Sequence, residues 1–172
     1  MTVAALNTVV VDTNVAVTAN GKQLPTGVSR QCVAVCARRL QAVQTAGIVA
    51  IDNQWRILRE YRANLREAGQ PGVGDAWLKW LLTNLANPTR CHQVPITPRG
   101  GGNDFAEFPS DPDLQTFDQS DRKFVAVSLA HPANPPVLNA TDSDWRNHHT
   151  ALERHGVIVE YLCPEYLSPM ET

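Results

Sequence analysis

Two runs of this chain, Thr8-Val9-Val10-Val11-Asp12 and Gly47-Ile48-Val49-Ala50-Ile51-Asp52, are almost wholly apolar until a closing aspartate. Without polar alternation, such strands must be covered on both faces, a condition met by a parallel sheet held between helices. The intervening sequence agrees. Residues 29–46 place Cys32, Val35, Cys36, Leu40 and Val43 at helical spacing, with Gly47 as a stop. After the second run, 53–69 reads as a helix closed by Gly69 and 75–86 as a helix ahead of Pro88, while 91–96 gives a short strand. A helix capped by Ser120, a strand over 135–142, a helix closed by Gly156 and a strand over 157–162 complete the series.

Strands alternating with helices predict an α/β fold, a three-layer sandwich whose mostly parallel sheet has about five strands. The 172 residues, 43% hydrophobic and 19% charged, fit one domain over 1–172. The Gly/Pro/Asp-rich stretch 98–117 reads as a long loop, and 163–172 as a loose tail. A net charge of -2 advertises no global affinity for nucleic acid, so any such contact needs a local patch. With neither a membrane-length apolar run nor a signal-peptide pattern at its start, the chain is expected in the cytoplasm and not in a membrane. The four cysteines form no CxxC pair, so reduced, buried thiols are expected. Cys91-His92 and His148-His149 lack a second ligand pair at zinc spacing and read as surface or core residues.

In parallel sheets, ligands gather beyond the carboxyl ends of the strands. Three predicted strands end there in acids, Asp12, Asp52 and Asp142. On the helix that follows Asp52, Leu58, Tyr61 and Leu65 share one face, Arg59, Arg62 and Arg66 another, and Glu60 lies at the border, able to lean toward the strand ends. Asp121 falls in the first turn of the helix after Ser120. Each acid alone also fits a turn, a cap or a dipole partner. Together they would repel one another unless cations neutralised them, and an oxygen-rich site suits Mg²⁺ or Mn²⁺.

These stretches resemble the motifs of PIN-domain nucleases. Val9 to Val15, VVVDTNV, is similar to the family's opening strand and aspartate; WRILREYRANL (55–65) resembles its glutamate-bearing helix; FDQSDRKFVAVSLA (117–130) its third motif; and VLNATDSDW (137–145) the strand that supplies its fourth acid. The resemblance implies that Asp12, Glu60, Asp121 and Asp142 bind divalent metal and hydrolyse RNA, with Asn14 and Thr141 orienting the carboxylates. Asp121 is preferred to Asp118 because it directly precedes the apolar helix, leaving Asp118 a supporting role. Asp142 is preferred to Asp144, which is placed to cap the next helix. An RNA substrate, an antitoxin partner and a homodimer are further expectations of the family. Arg59, Arg62 and Arg66, or Arg38 and Arg39, are candidates for RNA phosphate.

The 98–117 loop departs from compact family members. Asp104 or Glu107 within it would be able to visit the site, and Gly100 to Gly102 would let Phe105 and Phe108 swing over the sheet edge to stack on a base; packing against the domain is the competing role. Trp77 and Trp80 suit either a partner interface or the core. Among other α/β enzymes, a haloacid-dehalogenase-like phosphatase needs an acid where Asn14 stands, and a receiver domain needs a lysine after the last strand. A catalytically inactive PIN-like module that binds RNA or protein is the alternative to the nuclease.

Overall fold

The computed structural model describes residues 7–69 and 71–167. In chain order its elements are β1 (Thr8–Val11), α1 (Thr13–Ala19), α2 (Arg30–Ala46), β2 (Ile48–Asp52), α3 (Arg56–Asn64), α4 (Val73–Asn84), β3 (Cys91–Val94), β4 (Pro98–Arg99) and β5 (Asp104–Phe105). Two 3₁₀ turns, Pro112–Leu114 and Gln119–Asp121, lead to α5 (Arg122–Ala130), β6 (Val137–Asn139), α6 (Ser143–Asn147), α7 (His149–Arg154) and β7 (Val159–Tyr161).

Five strands form one parallel sheet in the order β3-β2-β1-β6-β7, as the apolar runs require. Val9, Val10 and Val11 of β1 are all buried, although successive side chains point to opposite faces, so both faces are covered. The chain builds β2 and β3 on one side of β1, then crosses to lay β6 on the other, with Val10 opposite Val137 and Val11 opposite Leu138. This reversal opens a crevice between β1 and β6 at their carboxyl ends.

The helices that wall the crevice are fixed by local chemistry. The strand turns directly into α1, a helix not anticipated from its β-branched sequence TNVAVTA; the Asp12 carboxylate caps it by accepting the Asn14 N–H at 3.2 Å. Gly74 lets α4 lie against α1, since a Cβ there would stand 1.9 Å from the Ala16 carbonyl oxygen. The helix read over 53–69 is confined to α3. Asp52 caps its start, accepting N–H groups of Gln54, Arg56 and Ile57, while Asp75 draws off the Arg66 N–H just past its end, at 2.8 Å.

Other expectations are corrected. Asp118, not Ser120, caps the turn leading into α5, and the final helix is interrupted at His148. The 98–117 stretch is no open loop: β4 and β5 form a short antiparallel hairpin, and Phe105, Phe108, Leu114 and Phe117 all enter the core. Arg122 holds this segment down through Asp104 at 3.2 Å and lies over the Phe108 ring. Cys163 is not isolated, nor are all four thiols reduced, because Cys163 is bonded to Cys32 of α2. Cys36 and Cys91 remain buried thiols. The segment read as a loose tail thus begins packed, with Cys163 and Leu167 buried; residues 168–172 lie outside the described residues. Trp77 is fully buried and Trp80 partly so. No described helix is long and apolar enough to cross a membrane.

Candidate metal centre

The crevice holds a cavity of about 360 Å³ whose wall includes Asp12, Asn14, Glu60, Asp121, Thr141 and Asp142. Oxygens of Asp12, Asp121 and Asp142 lie within 4.8 Å of one another, close enough to share one cation. Asp12 follows the central strand, Asp142 follows β6 and starts α6, and Asp121 ends the turn before α5. Three segments far apart in sequence therefore supply the cluster.

The partners of each acid differ. Asp12 is nearly buried; its Oδ1 accepts the Asn14 N–H and its Oδ2 the Trp145 indole N–H at 2.7 Å. Burial pushes its carboxyl up, to about 7; those two hydrogen bonds pull it back, and repulsion from Asp142 and Glu60 adds to the rise. Asp142 caps α6 through the Asp144 N–H at 2.9 Å. Asp121 is different. Its Oδ2 is buried and receives no hydrogen bond, and its carboxyl is also held well above the usual range, by burial first and then by Asp12 and Asp142. The Asp142 carboxyl lies against that of Asp121, and this contact adds to the rise. A buried carboxylate oxygen without a donor is costly, and a divalent cation satisfies it together with its neighbours. By this test the residues fit such an ion.

Glu60 does lean toward the strand ends, but it is held apart from the other three acids. Its Oε1 accepts the Thr13 hydroxyl at 2.6 Å and its Oε2 is paired with Lys123. Asn14 acts mainly on backbone rather than on carboxylates: its side chain donates to Asn139 Oδ1 at 2.8 Å and accepts the N–H groups of Ala140 and Thr141. It thereby ties α1 to the loop that carries Asp142. Thr141 lines the cavity. Asp118 Oδ1 is occupied by the Ser120 N–H and hydroxyl, and Asp144, instead of capping α6, accepts the Asp118 N–H and contacts His148. Asp52 is consumed by its cap.

Of the cationic candidates, Arg66 borders a second cavity beside the acids. That second cavity, of about 370 Å³, shares Val17, Gln23 and Asn64 with the first and also carries Lys22. Arg59 is bonded to the Gln54 carbonyl, Arg62 to Glu67 and Arg39 to Glu160. Phe105 and Phe108 are corrected: both rings are buried and neither presents a face to a base. Glu107 is held by the Thr97 N–H and Asp104 by Arg122. His92 bonds to His131, and His148 and His149 to Asp144 and Tyr161, so none joins a metal-ligand group among the described residues.

Sequence reasoning missed Trp145, Thr13 and Lys123. Trp145 lies three positions beyond Asp142 and therefore on the first turn of the helix that this acid caps, a placement legible only once Asp142 is known as the cap. No family model, characterised protein or solved structure matches the chain, so the centre is read from its own chemistry.

Proposed function

We propose that the protein is a metal-dependent ribonuclease of the PIN type, which hydrolyses RNA phosphodiester bonds with Mg²⁺ or Mn²⁺ held by Asp12, Asp121 and Asp142. The observation that carries this reading is the Asp121 carboxylate at the crevice between β1 and β6: its buried Oδ2 receives no hydrogen bond, and the carboxylate converges with those of Asp12 and Asp142. When bound, the ion supplies positive charge to the attacked phosphate and lowers the pKa of the attacking water. The protein's part is to hold the three carboxylates in place. Trp145 and the Asn14 N–H fix both oxygens of Asp12, while the Asn14 side chain fixes the backbone before Asp142.

RNA as substrate rests on the four motifs in their order along the chain. The open cavity has room for a nucleotide, and its continuation past Gln23 and Asn64 toward Lys22 and Arg66 suits a neighbouring backbone phosphate. The test is digestion of labelled single-stranded RNA by metal-free protein, with Mn²⁺ or Mg²⁺ added back. Products are expected with either ion and none with chelator or with Asp121→Asn. RNA bound but uncut under every metal condition would leave the inactive RNA-binding module. A toxin role, with an antitoxin partner and a homodimer, follows from the resemblance alone and is tested by growth arrest on induction.

A further inference from the structure

Lys123 lies two residues beyond Asp121, on the first turn of α5, and is turned inward rather than toward solvent. Its side chain is 12% exposed, against 26% for its partner Glu60. The ammonium pairs with Glu60 Oε2, donates to the Ser120 carbonyl and sits 4.9 Å over the Phe124 ring. Thr13 takes the other Glu60 oxygen. Both oxygens of the fourth acid thus have partners, whereas Asp121 Oδ2 has none.

From this we infer that Lys123 is the resident cation of the site: it neutralises Glu60 and confines the divalent metal to a single ion at Asp12, Asp121 and Asp142. This rests on the reading of those three acids as a metal centre. A two-ion site needs carboxylates on both sides of a pair of cations roughly 3.5–4 Å apart. Here Glu60 lines the same cavity but falls outside the group of oxygens that converge within 4.8 Å. For a second ion to recruit Glu60, it would have to strip away Lys123 and leave an ammonium enclosed without its counter-ion, a penalty that the entering charge would increase by repulsion. Lys123 is accordingly a positioning residue. It acts through Glu60, setting the number of ions and the net charge that a phosphate meets.

Ion counting on the full chain tests this. Metal-free protein is titrated with Mn²⁺, following heat and the loss of the free-ion paramagnetic signal. Wild type and Lys123→Arg are expected to bind one ion, and Glu60→Gln one ion with an affinity within about threefold of wild type. Lys123→Met, which frees the Glu60 oxygen, should bind two. Two ions in wild type, or a thirtyfold or greater loss of affinity in Glu60→Gln, would overturn the inference while leaving the metal centre standing. So would Lys123→Met that folds and still binds one ion. If Lys123→Met does not fold, wild type and Glu60→Gln decide alone. Failure of wild type to bind any ion would overturn the metal centre itself and the inference with it.

Discussion

Trp145 donates its indole N–H to Asp12 Oδ2 at 2.7 Å, joining the first turn of α6 to the end of the central strand inside the core. An aromatic ring usually contributes to a core through its area, and this one is fully buried against Phe117. Here it also sets the direction of a carboxylate. Trp145→Phe keeps most of the ring and removes the donor, leaving a buried carboxylate oxygen unpaired; about 1–3 kcal/mol of stability should be lost. Because the indole pulls the Asp12 carboxyl down, its removal raises that group further and makes the ionised, ion-binding form harder to reach. Mn²⁺ affinity should fall about tenfold. Denaturant melts and ion titration of the variant check both effects, and an unchanged ion affinity would reduce Trp145 to packing.

The same acids fix how stability should vary with pH. Asp12 and Asp121 are raised above the ordinary carboxyl value of 3.8, so the folded protein retains protons that the unfolded chain releases. Their stabilising contribution is complete below about pH 4 and is lost as pH rises toward neutrality and beyond. Metal-free protein should therefore lose roughly 5 °C of melting temperature from these groups between pH 5 and 8. His131 works in the opposite sense, since burial lowers its pKa and its neutral form is favoured in the fold. Asp121→Asn isolates the acids: its metal-free melting temperature should decline less with pH than that of wild type. Mn²⁺ should raise the wild-type melting temperature most at the alkaline end, where protons compete least, and leave the variant unmoved. Parallel pH profiles for the two metal-free proteins would contradict the cluster.

Much of this arrangement is written in short-range pattern. Val9 to Val11 and Ile48 to Ile51 announce buried strands because nothing polar interrupts them, and Asp12 announces itself by ending such a run, whereas the strand read as closing on Asp142 stops at Asn139 and leaves that acid to cap the next helix. What stayed hidden depends on pairings across the fold. α1 is short and rich in β-branched residues, so tertiary packing and a cap outweigh propensity there. Lys123 has the spacing of a solvated helix cation, and only the placement of α5 beside α3 turns it toward Glu60. Phe105 and Phe108 sit among glycine, proline and acids, a composition that reads as loop, yet Arg56 over one ring and Arg122 over the other help hold both inside. Asp52 shows the converse, since its place at a strand end looked functional and its oxygens are spent on capping α3.

Cys32 and Cys163 are 131 residues apart, and nothing in their local sequence marks them as partners. Their bond ties the segment after β7 back to α2, with the Cys36 sulfur 3.9 Å from that of Cys163. Closing so long a loop restricts the unfolded chain, and the entropy estimate for a span of this size is about 5 kcal/mol, an upper value because denatured chains retain structure. Alkylation of the denatured, unreduced protein should therefore label two cysteines, Cys36 and Cys91, and four after reduction. Cys32→Ser with Cys163→Ser should lower stability by about 2–5 kcal/mol, and reductant should bring wild type down toward the same level. Mn²⁺ binding should survive in the double variant below its melting temperature, because none of the ion's three carboxylates belongs to α2 or to the segment after β7. Labelling of four thiols without reduction would show that the pair is not bonded, and the stability of the two serine substitutions would then report packing alone.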